Sequence, residues 1–296
     1  MWPILQSTRP RTLPLSVSGI LAGTFLARHS GCFSWDLFVL LLLTAVLLQI
    51  LSNLANELGD WKKGTDRRQP GRKALSLQSG KLTEKQLVRA IAVVLILAAV
   101  SGITLIYQAF GTFAGIIPVF FLGLGALALS ASVLYSTGKK PYGYRGLGDV
   151  AVFLFFGPAA VGGSYYIYTG CPDPEILAIA VAIGLLATAV LNVNNIRDFE
   201  NDEKFGKITF AIVLSRMSKT GSTLPATVYQ GILIFLALIL SAVFAAVSEK
   251  GSFLFLITIP FFAIHFFWLA NNKGAGLDKA LKVLIAGILV YALTLF

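Results

Sequence analysis

The stretch "WDLFVLLLLTAVLLQILSNLANELGDWKKGTD", Trp35 to Asp66, decides the reading of this chain. Its first half is apolar over a length that crosses a bilayer, since about 20 apolar residues span the hydrocarbon layer. Its second half carries Asn53, Asn56, Glu57, Asp60 and Asp66. Acids this close to lipid are costly, and where they occur they mark a site by default. On a helix, Asn53, Asn56, Glu57 and Asp60 stand at i, i+3, i+4 and i+7 and form one polar stripe.

The rest of the chain has the same character. Of its 296 residues 56% are hydrophobic and only 13% charged, with a mean hydropathy of +0.78. A soluble domain carries about 25% charged residues. The composition therefore predicts an all-α, polytopic integral membrane protein. The start, "MWPILQSTRPRTLPLSVSGILAG", shows no small-residue cleavage site after a short apolar core, so the first span is expected to be retained. Apolar windows fall at 13–28, 36–57, 86–108, 112–135, 147–168, 175–196, 225–247, 252–270 and 279–296. The expectation is one membrane domain over 1–296, with nine transmembrane helices around a central cavity.

Basic residues set the orientation. With the N-terminus in the cytosol, all of the 24 Lys and Arg except Arg28 and Lys250 fall in inner connections. This is the positive-inside pattern, and dropping one span would scatter it. The net charge of +10 is thereby explained by topology, with no nucleic acid required. Attraction for anionic lipid or an anionic substrate is compatible with it.

A second acidic cluster lies at the inner end of the sixth window, in "NVNNIRDFENDEKFGKIT". Here Asn194, Asn195, Asp198 and Asp202 are spaced i, i+1, i+4 and i+8, again one stripe on a continuous helix. The two clusters hold half of the 14 acidic residues, both on the inner face. Crowded carboxylates repel unless positive charge lies between them. Mg²⁺ fits, because it takes one or two carboxylates and completes its octahedron with substrate phosphates and water. Lys139, Lys140, Arg145, Lys204 and Lys207 then serve as phosphate partners. The competing reading is a solvated helix end whose acids balance local lysines. Both stretches also share paired Asn, spaced acids, a Lys–Gly or Gly–Lys step and a Thr, which points to two related halves, about 1–135 and 136–296.

These motifs resemble those of the UbiA-type intramembrane aromatic prenyltransferases. "NNIRDFENDEKFGKIT" matches the second Asp-rich motif of that family, with Asp198 and Asp202 in its DxxxD positions. The first motif departs from the common form. Glu57 replaces Asp, and the last acid is displaced to Asp66 through "WKKGTD". That form is similar to the 1,4-dihydroxy-2-naphthoate polyprenyltransferases of menaquinone synthesis. So are "RPRTLPLSVSG" and "YRGLGDVAVFLFFGPAAVGGSYY".

The resemblance implies nine helices in a bacterial cytoplasmic membrane and an active site on the cytosolic face. It implies Mg²⁺-assisted transfer of a polyprenyl chain from an allylic diphosphate to 1,4-dihydroxy-2-naphthoate. Diphosphate and CO₂ leave, and a demethylmenaquinone forms. Asn56, Glu57, Asp60, Asp66, Asp198 and Asp202 are the metal-ligand candidates, with Asp60, Asp198 and Asp202 central to catalysis. Asn53, Asn194, Asn195 and Tyr144 are candidates to orient them. Lys139 and Lys140 match the family's diphosphate contacts, and Tyr135 its cation-stabilising ring. Arg9 or Arg11 is the candidate for the acceptor carboxylate. For the tyrosines and arginines, anchoring at the membrane interface is the competing reading.

Other features carry less. The glycines of "GYRGLGD" lack the strand–turn–helix setting of a dinucleotide site. Gly19/Gly23 and Gly111/Gly115 read as close helix packing. His265 reads as a hydrogen-bonded packing residue, and Cys32 and Cys171 both fall in outer connections, where a disulfide is permitted. Two further classes stay open. A secondary transporter also uses intramembrane acids, although nearer the midplane. A lipid phosphotransferase would carry a DGxxAR-type signature, which the sequence lacks. Within the prenyltransferases, 4-hydroxybenzoate or homogentisate is the alternative acceptor.

Overall fold

The computed structural model describes residues 3–65, 75–219 and 221–295. Its main helices are α1 (Leu13–His29), α2 (Trp35–Lys63), α3 (Glu84–Phe110), α4 (Ile116–Leu134) and α5 (Gly148–Thr169). They continue with α6 (Ile176–Arg197), α7 (Leu224–Val247), α8 (Phe253–Asn271) and α9 (Asp278–Leu293). Helices α2 to α8, seven among the described residues, are long and apolar enough to cross a membrane. Helices α1 and α9 have 17 and 16 residues and fall below that length. Among the described residues there is no strand, only one isolated bridge between Arg145 and Ile208.

Helix α6 is the axis of the bundle. Of its most apolar window 72% is buried, against 11% for α4, which lies at the lipid-facing edge. It packs on α5 and α7, while α2 pairs with α3 and α8 with α9. Leu26, Ile183, Leu186, Ile212, Leu284 and Ile288 form part of the core around it. Exposed Val93, Ile96, Val100, Phe235 and Phe267 face outward, as a lipid solvent allows.

Glycine sets the close approaches. A Cβ on Gly23 would lie 2.4 Å from the Val161 carbonyl, and one on Gly157 would lie 2.4 Å from that of Ala180. Small residues let helix backbones approach in lipid. The expectation holds for Gly19 and Gly23, whose neighbours are on α5. It does not hold for Gly111 and Gly115. They have φ of +68° and +105°, end α3 and precede α4; a Cβ on Gly111 would meet nothing within 4 Å, and one on Gly115 only Pro118, in the first turn of α4, at 3.8 Å. Left-handed backbone, not packing, is why glycine stands there. Inside α5 the chain widens into a π-helical segment, Phe155–Gly162, around Pro158. Proline cannot donate to the helix ladder, and such wide turns absorb the lost bond.

His265 is buried between helices. Its Nδ1 lies 3.0 Å from the Ala280 carbonyl, so that nitrogen carries the proton. Nε2 then accepts from Gln230 at 3.1 Å, and Gln230 accepts from Asn192 at 2.9 Å. One polar chain thus ties α6, α7, α8 and α9. Cys32 and Cys171 are both free thiols.

Candidate active site

Helix α2 is longer than the membrane needs. Its 29 residues reach about 44 Å at ~1.5 Å each, against a ~30 Å hydrocarbon layer. The surplus is the polar end. It closes at Gly64, whose φ of +83° suits the C-terminal turn.

The helix expected to carry the second cluster without interruption does not. Helix α6 stops at Arg197, and a short helix, Phe199–Lys204, follows. Asp198 is the joint, at φ −97° and ψ 8°, the bridge region of backbone space. Asp202 therefore stands on a separate element and is aimed by the break, not by helical periodicity.

A cavity of about 360 Å³ opens between these ends. Asn53, Asn56 and Asp60 of α2 line it. So do Asn194, Asn195, Asp198 and Asp202. Deeper, Ile20, Leu41, Leu105, Phe121 and Ile167 make its wall apolar. Glu57 is turned away. It is 1% exposed, and its Oε1 accepts the Leu77 amide at 2.8 Å, so it holds the connection before α3. Asp66 lies outside the described residues.

Lys207 stands between the two clusters. Its Nζ is 3.6 Å from Asp60 Oδ2 and 3.7 Å from Asp202 Oδ1. Burial lowers the affinity of this ammonium for its proton, but the charges of Asp60 and Asp202 outweigh burial and hold its pKa above the ordinary lysine value. Of the five basic candidates, Lys207 alone lines the cavity. Lys139, Lys140 and Arg145 are exposed on the connection after α4, and Lys204 is exposed at the end of the short helix Phe199–Lys204.

Three connections interlock around this pair. The Tyr144 hydroxyl donates to Asp60 Oδ1 at 2.6 Å, and Thr65 then donates to the same phenol oxygen at 3.1 Å. Asn201 donates to the Thr65 carbonyl at 2.9 Å. The Ile208 amide donates to the Tyr144 carbonyl, and Gly146 donates to that of Ile208. Burial, then the charge of Asp60, pushes the Tyr144 phenol well above its usual pKa, so it stays a donor.

Tyr135 lines the cavity at the end of α4. Gly143 and Gly148 make room for its ring, since a Cβ on either would lie 2.9 Å and 3.1 Å from ring carbons and hydroxyl respectively. Tyr142 meets it edge-on at 5.3 Å. Burial raises the phenol of Tyr135 and pushes that of Tyr142 up to about 12. Both rings are neutral.

Several contacts had no reading in the sequence. Arg197 holds Asp198 with two bonds, Nε to Oδ1 at 3.0 Å and Nη2 to Oδ2 at 2.7 Å. Its Nη1 reaches Asp278 of α9 at 2.9 Å. Arg11, exposed, also pairs with Asp278 at 3.8 Å and does not line the cavity, whereas Arg9 does. Asn53 donates to the Thr8 carbonyl at 2.8 Å and so seats the N-terminal segment. Asn56 donates to Ser136 at 2.7 Å. Asn194 bonds back to the Val190 carbonyl. Arg197 was visible beside Asp198, but a basic residue at the end of an apolar run reads as topology.

Among the described residues no three carboxylate, imidazole or thiol groups stand close enough to hold a metal by themselves. Mg²⁺ does not require that, since phosphate and water complete its shell. The donors present are hard oxygens, and an ammonium already stands between two of the carboxylates. The set fits a divalent cation shared with a phosphate.

The likeness to known proteins runs along the whole bundle. Residues 16–288 match the model of the UbiA prenyltransferase family, and the chain belongs to that family. The 1,4-dihydroxy-2-naphthoate octaprenyltransferase of Escherichia coli (strain K12) is 40% identical over 258 residues, 86% of this chain and 81% of that protein. The protein of the same name from Haemophilus influenzae (strain ATCC 51907 / DSM 11121 / KW20 / Rd) is 38% identical over 270 residues, 90% and 84% of the two chains. A UbiA homolog from Archaeoglobus fulgidus, solved bound to GPP and Mg²⁺, shares the fold with a TM-score of 0.62 at 18% identity, over 99% of both chains.

Proposed function

We propose that this protein transfers a polyprenyl chain from an allylic polyprenyl diphosphate to 1,4-dihydroxy-2-naphthoate. The allylic C–O bond breaks, a ring carbon forms the new C–C bond, and the carboxylate leaves as CO₂. The product is a demethylmenaquinone in its quinol form. The observation that carries this reading is the cavity. Its mouth holds Asn56, Asp60, Asp198, Asp202 and Lys207, and its depth is apolar, which suits one substrate with a charged head and a hydrocarbon tail. The names of the two relatives point to the naphthoate as acceptor.

In this reading Asn56, Asp60, Asp198 and Asp202 hold Mg²⁺ directly or through water, and Asp66 remains a candidate with them. Mg²⁺ supplies Lewis-acid stabilisation of the departing diphosphate when bound. Lys207 binds a phosphate oxygen. Tyr144 fixes Asp60, Arg197 fixes Asp198, and Glu57 serves the loop. The neutral Tyr135 ring faces the cationic allylic carbon and stabilises it through its π electrons. Arg9 receives the acceptor carboxylate. The apolar wall excludes water from the carbocation. The chain acts as one unit built from two related halves. We take α1 and α9 as two further spans, with the N-terminus and the cavity mouth on the cytosolic side of the cell membrane, because the basic residues concentrate there.

The acceptor panel tests the proposal. Purified protein with Mg²⁺ and a polyprenyl diphosphate is offered 1,4-dihydroxy-2-naphthoate, 4-hydroxybenzoate or homogentisate, and products are weighed by mass spectrometry. The expected result is a prenylated, decarboxylated product from the naphthoate alone. Product from 4-hydroxybenzoate and none from the naphthoate would overturn the acceptor assignment.

A further inference from the structure

We infer that Lys207 is a built-in, displaceable cation that keeps Mg²⁺ binding weak until a diphosphate arrives. The inference rests on the proposed metal–diphosphate reading of the site and adds an order of assembly to it.

The geometry of the lysine carries the argument. Its backbone is fixed on both sides. The Lys207 amide donates to the Asp202 carbonyl at 2.8 Å, and the next residue, Ile208, is bridged to the Tyr144–Gly146 segment. Its side chain runs back into the cavity and is 12% exposed. The ammonium stands nearly midway between one carboxylate of each cluster, at 3.6 Å and 3.7 Å. Short charge-assisted bonds measure about 2.7–2.9 Å. Lys207 therefore neutralises Asp60 and Asp202 mainly by its charge, without a tight bond to either. Its Nζ also lies 5.3 Å from the centre of the Tyr144 ring, a weak cation–π contact.

Two consequences follow from electrostatics. Two carboxylates on one cavity repel, and the ammonium removes much of that repulsion, so the clusters can close on one another without a metal. A divalent ion entering the same space meets a fixed positive charge and must displace it. A diphosphate changes the balance. It brings oxygen ligands for the metal and negative charge for the ammonium, so Lys207 can leave the carboxylates for a phosphate. Metal and diphosphate then raise each other's affinity, and by linkage the coupling is the same in both directions. Free Mg²⁺ would compete only weakly for the carboxylates, and a bound prenyl diphosphate would recruit the ion as it docks.

Mn²⁺, a paramagnetic stand-in for Mg²⁺, makes the test direct. Free Mn²⁺ is followed by electron paramagnetic resonance during titration of detergent-purified wild type, Lys207→Gln, Lys207→Met and Lys207→Arg, each with and without inorganic pyrophosphate, and the Mn²⁺ that pyrophosphate binds in protein-free detergent solution is subtracted. Thermal unfolding of each variant checks its fold. Wild type and Lys207→Arg should bind Mn²⁺ weakly alone and at least about tenfold more tightly with pyrophosphate, within the usual range of coupling. Lys207→Gln and Lys207→Met should bind Mn²⁺ alone more tightly than wild type, by a similar factor, and show reduced coupling. Neutral variants with unchanged or weaker metal-alone affinity would overturn the inference while leaving the metal–diphosphate reading intact. A wild type that binds no Mn²⁺ even with pyrophosphate would overturn both.

Discussion

Asp60 illustrates how much one residue of this site depends on its neighbours. It is 4% exposed, yet it accepts a short bond from Tyr144 and faces the Lys207 ammonium. A hydrogen bond to a buried charge contributes about 1.5–3 kcal/mol. Tyr144→Phe keeps the ring beneath Lys207 and removes the hydroxyl. Asp60 is then short of a partner and less well aimed. The variant is expected to fold and to need more Mg²⁺ for half-maximal prenyl transfer, by about tenfold or more, the scale of loss seen when an outer partner of a metal ligand is removed. A Mg²⁺ titration of product formation checks this. An unchanged Mg²⁺ requirement would remove Tyr144 from the set that positions Asp60.

At the scale of the elements, Gly59 is the clearest requirement. It lies between Asn56 and Asp60 on α2, and a Cβ there would stand 2.4 Å from the Ser136 carbonyl. The same close approach lets Asn56 reach Ser136 at 2.7 Å. Gly59→Ala must therefore push α2 away from the end of α4, at a cost of about 1–3 kcal/mol from overpacking, and should widen the cavity mouth. Gly123, inside α4, has no heavy atom within 4 Å of an added Cβ. Gly123→Ala should be neutral or up to about 1 kcal/mol stabilising through helix propensity. Thermal unfolding of both variants in detergent, with prenyl transfer measured alongside, distinguishes them. Equal melting temperatures would remove the close α2–Ser136 approach from the stability of the bundle.

Considered whole, the molecule is held at its other face by a second set of charges. Lys250 pairs with Asp173 in the connection before α6, and the Tyr165 hydroxyl donates to the same carboxylate at 3.2 Å. Burial raises the Asp173 pKa, but the bond and charge of Lys250, with the Glu175 amide and Tyr165, more than offset it and hold the carboxyl below its ordinary value. A depressed carboxylate stabilises the fold at pH above the unfolded value and loses that contribution as pH falls through the folded value. Wild type should therefore melt above Lys250→Met at neutral pH, by an increment worth up to about 1 kcal/mol for a partly exposed pair, and the two should converge in acid. Parallel melting curves down to pH 3 would remove the pair from the stability of this face. The proposed orientation has its own test. Cys171 is exposed in the α5–α6 connection, on the side assigned to the exterior. A membrane-impermeant maleimide should label it in intact spheroplasts. A cysteine at position 139, in a chain without Cys32 and Cys171, should react only after permeabilisation. The reverse pattern would invert the topology.

The sequence alone determined what depends on composition and period. Long apolar windows must become helices in lipid, because no other open structure satisfies the backbone there. The described helices begin and end within a few residues of those windows, except where α2 runs on to Lys63. The acids of Asn53–Asp60 and Asn194–Asp202 were equally legible, because charge beside a greasy run stands out, and both stretches do line one cavity. Only the tertiary structure decided which side chains meet. Glu57 and Asp60 look alike on one polar stripe, yet one turns to Leu77 and the other to Tyr144 and Lys207, since each faces a different neighbouring loop. Helical spacing could not place Asp202, because the helix breaks at Asp198. Nor could a count of lysines separate Lys207 from Lys139, Lys140 and Lys204. All four fall in connections that the positive-inside rule assigns to the same side, and only the pairing of Ile208 with the Tyr144 segment carries Lys207 into the cavity. Local pattern is a property of neighbours in sequence. The convergence of two acidic ends on one lysine is a property of loops that lie more than a hundred residues apart and close on each other only when the bundle is packed.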